Sequence, residues 1–236
     1  MAAAAPTPPA SQTLSRGIRI LEVLADAREA LSIDEIAGRL EVHRSVAYRL
    51  LRTLEDHGLV VRDSAGRIEL GPRMAALAAG VAHDLQAEAL PELTAVAGDL
   101  GATCFLVVRD HDECVTLSSI EPRHAVNPVA QRPGTRHPVT RGAPGKAILS
   151  LVPEGAWPGD VGGDLADEIR DAATRGFATS HDEVIPSLRA VAVPLALRGR
   201  GPAAIAVVFV ATTHTTAEIA ARLTRSATAI REALGG

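Results

Sequence analysis

The residues that most narrow the choice of fold run from Ser32 to Gly58. Ser32-Ile33-Asp34-Glu35 has the S-x-x-E form of a capping box. In such a box the serine hydroxyl accepts from a free backbone N–H while the glutamate reaches back to the cap. It opens a short helix with Ile33, Ile36, Ala37 and Leu40 on its inner side, and Glu41-Val42-His43 leaves room only for a tight turn. Ala47, Leu50, Leu51 and Leu54 then form an i, i+3, i+4, i+7 stripe that Gly58 stops. Two short helices joined this way predict a helix-turn-helix. Upstream, Leu14, Ile18, Leu21 and Leu24 predict an amphipathic helix over residues 13–26. Downstream, residues 59–62 and 67–70 flank Asp63-Ser64-Ala65-Gly66 as a β-hairpin. Helix, helix, turn, helix, hairpin is the order of a winged helix.

The second helix of such a unit lies in the major groove with its N-terminal residues nearest the base edges. Here those are His43, Arg44, Ser45, Tyr48 and Arg49, all off the apolar stripe. Arginine takes guanine bidentately, and serine or tyrosine hydrogen-bonds to bases or phosphates. Arg52 lies a turn further on, where a phosphate contact is expected, and Arg62 and Arg67 on the hairpin face the backbone or minor groove. Residues 43–54 carry no acidic side chain within a protein of net charge −4. A generic charged helix face is usually only a solvated one. Cap, turn, stripe and wing in register favour DNA recognition over that reading.

The chain has 236 residues, room for one or two domains, and its 47% hydrophobic and 22% charged content is that of a globular protein. Aromatics are only 2%, so the core is built from Ala, Val, Leu and Ile. No apolar run approaches the ~20 residues that cross a bilayer. Residues 1–11, Ala/Pro-rich without a basic n-region, read as a disordered tail rather than a secretory signal, and a cytoplasmic location is expected. Cys104 and Cys114 make neither a disulfide framework nor a metal quartet and are expected to be buried as small hydrophobes.

Met74, Leu77, Ala78, Val81 and Leu85 predict a linker helix over residues 73–90 that pairs with a second subunit. Beyond it the pattern becomes α+β. A helix is expected over 91–100, strands over 103–109, 114–120, 190–197 and 203–210, a helix over 142–151 and a closing helix over 216–234. Antiparallel strands with helices on one side make a small sensor-like domain. His111, His124, His137, His181 and His214 lack ligand spacing. Pro144-Gly145-Lys146 is followed by Ala147 where a P-loop needs Ser or Thr, and there is no H-E-x-x-H, paired C-x-x-C or G-x-S-x-G. No catalytic residue, metal or cofactor is expected.

The stretches Ser15 to Leu21, Arg44 to Glu55 and Arg67 to Arg73 resemble the N-terminal domain of IclR-type transcriptional regulators, with Val46 where the family often has Thr. The resemblance continues through Gly134 to Pro138, Gly145 to Leu149, Arg175 to Ala178 and Leu188 to Pro194. It implies a winged helix over 12–72, the linker helix over 73–90 and a GAF-like effector-binding domain over 91–236. It also implies a repressor that binds double-stranded operator DNA as a homodimer or homotetramer and responds to a small molecule, an organic acid or an aromatic metabolite. Carried over by position, the pocket would be lined by Thr140, Arg141, Ala143, Pro144, Ser180, Ala190, Ala206 and Val208. Members that bind a small carboxylate place hydroxyls at the last-strand positions, whereas this chain has Ala206 and Val208. Burying a carboxylate without donors costs several kcal/mol. Either Arg141 supplies the charge, or the ligand is less polar. Ser187 replaces a usual glycine. Two other readings remain: a purely dimerising C-terminal domain, or a GAF-like enzyme carrying a vestigial helix-turn-helix.

Overall fold

The computed structural model describes residues 11–27, 29–122, 129 and 131–235, so that His124 and all but the last residue of the expected tail lie outside it. The chain divides into two compact units, one reaching Val81 and one starting at Ala82.

The first unit contains α1 (Gln12–Ala27), α2 (Ile33–Leu40), α3 (Arg44–Asp56), β1 (Val60–Arg62), β2 (Ile68–Leu70) and α4 (Arg73–Ala78). The capping box forms as its residues require: Glu35 N–H donates to Ser32 Oγ at 3.3 Å, and Ser32 N–H donates to Glu35 Oε2 at 2.7 Å. Such a cap stabilises a helix by about 1 kcal/mol. The chain leaves α2 through Glu41, whose φ of 55° is left-handed. Ile20, Leu24, Leu31, Ile36, Leu40, Leu50, Leu51, Val60 and Ile68 close one core. Leu31 makes a single β-bridge to the wing through paired bonds with Ile68, 2.9 and 2.7 Å. One detail departs from expectation. The buried line of α1 is Gly17, Ile20 and Leu24, while Leu14 and Ile18 of the expected stripe are 64% and 48% exposed.

The continuous helix expected over 73–90 is interrupted. After α4 the backbone turns at residues 79–82, with Ala82 at φ 45°, and α5 (His83–Leu100) begins anew. Its weak point is physical: α4 buries no side chain and has no side-chain cap. Pro91, expected to start a helix, sits inside α5. Its lost N–H is tolerated because Leu85, Ala89, Leu93, Val96, Ala97 and Leu100 bury the same face.

The second unit is built on a six-stranded antiparallel sheet in the order β5-β4-β3-β8-β7-β6. Its strands are β3 (Thr103–Asp110), β4 (Glu113–Ile120), β5 (Arg136–Pro138), β6 (Ala178–His181), β7 (Arg189–Leu195) and β8 (Ala203–Phe209). Helices cover both faces, not one as expected. On β8, Ala203, Ile205, Val207 and Phe209 pack with α5 and α8 (Thr216–Ala233), whereas Ala204, Ala206 and Val208 join the core under α6 (Gly142–Leu149) and α7 (Gly163–Arg175). A central strand buried on both faces reads as an unbroken apolar run, which Ala203 to Phe209 is. Cys104 and Cys114 are free and buried in the two different cores, and burial pushes the Cys114 thiol up to about 12. Among the described residues no helix is long and apolar enough to cross a membrane.

Candidate functional site

Two places in the molecule gather the side chains with chemical potential: the outer face of α3 and a cavity beside α6. The first follows from the phase of the apolar stripe. With Ala47, Leu50 and Leu51 buried, His43, Arg44, Ser45, Tyr48, Arg49 and Arg52 all face solvent. Val46 is half-buried.

These residues are not equivalent. His43 is the N-cap, and its Nδ1 accepts from Ser45 N–H at 3.3 Å and lies 2.8 Å from Ser45 Oγ. The cap therefore commits both His43 and Ser45 to starting the helix. Arg44 reaches Asp34 at 2.5 Å, but both side chains are more than 60% exposed, and such a pair exchanges readily for a phosphate. On the wing, Arg62 donates to both Glu55 oxygens at 3.1 Å and to Gly66 O at 3.3 Å. That hydrogen-bonded carboxylate raises the pKa of its guanidinium further. Arg67 donates to Ala30 O at 2.7 Å and lies 3.6 Å from Glu35. Only Arg49 and Arg52, of these arginines, have no partner among the described residues. A groove lined by Thr13, Arg16, Val46, Arg49, Leu50 and Thr53 brings Arg16 of α1, also without a partner among the described residues, beside Arg49. The helix-turn-helix pattern alone does not single out Arg16, because it sits outside the two helices of the motif.

The cavity depends on two close approaches. A Cβ on Gly145 would lie 2.0 Å from Val139 O, so only glycine lets α6 settle against that strand end. Gly142, at φ 80°, turns the chain into α6. Every residue of α6 is buried, including Lys146, the one lysine of the sequence, at 3% exposure. Its ammonium is compensated: Nζ lies 2.6 Å from Glu183 Oε1, 2.6 Å from Glu168 Oε2 and 3.2 Å from Thr179 O. Glu183 Oε2 accepts in turn from Gly142 N–H at 2.9 Å. Trp157 closes the other end of α6, its indole N–H donating to Leu149 O at 3.0 Å.

Beside this network lies a small cavity of about 50 Å³, partly open to solvent, with walls of Phe105, Val184, Ile185, Leu188, Ala190 and Val208. Gln131, His137, Ser180, Glu183 and Arg189 supply its polar atoms. Burial holds the His137 imidazole below the usual histidine range, favouring the neutral ring, and its Nδ1 lies 3.0 Å from Pro138 O. The segment over the cavity is tightly turned. Asp182 and Ser187 both have left-handed φ, 61° and 66°, and Ser187 N–H donates to Asp182 Oδ1 at 2.5 Å. Among the described residues no group of His, Cys, Asp and Glu is arranged to hold a metal.

Of the residues carried over to a pocket, Pro144, Ser180, Ala190 and Val208 line this cavity. Ala143 and Ala206 are fully buried in the adjoining core, Thr140 is half-buried outside the lining, and Arg141 is the exposed N-cap of α6. The sequence does not mark Phe105 or Glu183 as site residues, and it offers Lys146 only as the lysine of a P-loop match that Ala147 breaks. The signal available for Lys146 was a lone lysine inside the apolar run Ala143 to Leu149.

Comparison with known proteins covers both units. A family model described as the IclR helix-turn-helix domain matches residues 13–64, and one described as the bacterial transcriptional regulator IclR C-terminal domain matches residues 78–156. The probable transcriptional regulator SauR of Cupriavidus necator is 29% identical over 211 residues, 81% of this chain and 83% of that protein. The HTH-type transcriptional regulator Rv1719 of Mycobacterium tuberculosis is 32% identical over 143 residues, 60% of this chain and 55% of that one. Among solved structures, a transcriptional regulator from Alicyclobacillus acidocaldarius superposes with a TM-score of 0.83 at 27% identity, covering 96% of this chain and all of that one, 100%. An IclR homologue from Microbacterium hydrocarbonoxydans complexed with 4-hydroxybenzoate has a TM-score of 0.80 at 24% identity, covering 94% and 99% of the two chains.

Proposed function

Since this chain belongs to the IclR family of transcriptional regulators, we propose that it is a repressor that recognises operator DNA through α3 and responds to a small molecule held beside α6. The observation that carries the DNA half is the exposed, unpaired guanidinium groups of Arg49 and Arg52 on the outward face of a capped helix. Among the described residues neither side chain has an internal partner to give up before meeting DNA. Arg49 is the base reader in this account, and Arg52 and Arg16 meet phosphates. Arg62 and Arg67, already held by Glu55 and by Ala30 O, shape the wing. The protein acts in the cytoplasm, where operator DNA is.

Two half-sites call for two copies of the chain. Leu14, Ile18 and Leu77, each about half exposed or more, are apolar surface that a second copy would cover. The effector half rests on a partly open cavity with apolar walls and few polar groups. That a protein of the same fold is complexed with 4-hydroxybenzoate supports the same reading. Effector binding shifts operator affinity by a coupling free energy of about 1–3 kcal/mol.

The test is fluorescence anisotropy of the full chain on DNA from upstream of its own gene, against a scrambled duplex, across a salt series. Specific binding resists the scrambled competitor. Equal binding to both duplexes, carried only by a steep salt slope, would leave phosphate contact alone and contradict sequence recognition.

A further inference from the structure

Deepening the effector reading, on which it rests, we infer that the cavity takes an uncharged, donor-bearing ligand in preference to its carboxylate isostere, because Glu183 already occupies the place an acid would take. Two features beside the cavity favour an anion: the N-terminus of α6 and the buried Lys146 ammonium. One side chain engages both. Glu183 Oε2 accepts from Gly142 N–H at 2.9 Å and its Oε1 lies 2.6 Å from Lys146 Nζ. Lys146 also faces Glu168 at 2.6 Å, so a single positive charge answers two negative ones. Pro144, in the first turn of α6, contributes no N–H.

The rest of the lining does not restore a positive field. His137 is held neutral by burial, and the side chains at positions 190 and 208, Ala190 and Val208, carry no donor. Arg141 is exposed outside the lining, and Arg189 is exposed at the rim, where water and salt screen its charge. An entering carboxylate would be desolvated against the Glu183 carboxylate. A ligand N–H or O–H instead finds acceptor capacity left on Glu183, with Ser180 and Gln131 nearby and Phe105, Val184, Ile185 and Leu188 to enclose a ring.

The experiment is calorimetric titration of the full chain at pH 7 with two matched pairs: 4-hydroxybenzamide and 4-hydroxybenzoate, cyclohexanecarboxamide and cyclohexanecarboxylate. The amide of a pair is expected to bind at least tenfold tighter than its acid. Glu183→Gln, which keeps the shape and removes the charge, is expected to narrow that ratio by tenfold or more. Ala190→Phe, which fills the cavity, is expected to abolish amide binding and so locate it. Acids binding as tightly as amides to the unmodified chain would overturn the inference while leaving the effector reading intact. So would a ratio unchanged in a folded Glu183→Gln protein. Binding by none of the four compounds would overturn the effector reading itself, and the inference with it.

Discussion

The two cationic centres of this protein are built in opposite ways. On α3, Arg49 and Arg52 stand in solvent with no partner among the described residues, on a face that ordinary periodicity lays outward. Beside α6, Lys146 is 3% exposed and bound by two carboxylates and a carbonyl. A free surface cation costs the fold almost nothing and remains available to a partner. A buried one must be compensated internally, and once compensated it organises the structure rather than a ligand. The contrast explains why the arginines can be assigned to DNA while the lysine, also a cation, is assigned to holding the cavity wall.

The predictions test that division. The largest effect is expected at the close approach that seats the lysine. Gly145→Ala forces a methyl against Val139 O and should cost about 3 kcal/mol or more in denaturant unfolding. A smaller loss would mean that α6 shifts easily and does not position the network. Lys146→Met should follow at about 2–3 kcal/mol, since Glu183 and Glu168 lose their shared cation. Glu168 is half exposed and recovers hydration, which keeps the loss below that of a fully enclosed pair. The corresponding removal of an α3 arginine should leave unfolding unchanged.

Acid should act on the cavity side through His137. The folded-state pKa of His137 is lowered by burial, so the unfolded chain takes up its proton first as pH falls. The stability this contributes is complete above the ordinary histidine pKa of about 6.5 and is lost as pH drops from there through the lowered value. His137→Asn should therefore flatten the fall in unfolding free energy between pH 7 and pH 5. Glu35, held low by its bonds to Ser32, acts only nearer the carboxylate range. The smallest effect is at Ser187, whose φ of 66° suits glycine. Ser187→Gly should change stability by no more than about 1 kcal/mol, relief of strain offsetting added chain entropy.

Local chemistry made the first unit legible. Ser32 and Glu35 announce α2, the spacing of Ala47, Leu50, Leu51 and Leu54 sets which face of α3 is outward, and Gly66 turns the wing. Even there, only part of the α1 stripe holds: Leu24 is buried and Leu21 packs on the core, while Gly17 and Ile20 turn inward and leave Leu14 and Ile18 outside. In the second unit the strands were legible as apolar runs, but the two-sided burial of β8 was contained in its lack of alternation and passed for a one-faced sheet. Short β5 and β6 carry too little periodicity to stand out, whereas α7 does show a helical stripe at Ala166, Ile169 and Ala172. The cavity was least legible. Gly142, Lys146, Glu168 and Glu183 are brought together across 41 residues of sequence by tertiary packing, and no local spacing encodes that meeting.

The most direct measurement is operator affinity of Arg49→Ala and Arg62→Ala, both confirmed folded, in the same anisotropy assay. The account predicts a loss of about 1–3 kcal/mol, tenfold to over a hundredfold, for Arg49→Ala. Arg62→Ala, whose guanidinium is already spent on Glu55, should stay within a few-fold of the unmodified protein. Unchanged affinity in Arg49→Ala, or a larger loss in Arg62→Ala, would contradict the assignment of recognition to the unpaired face of α3.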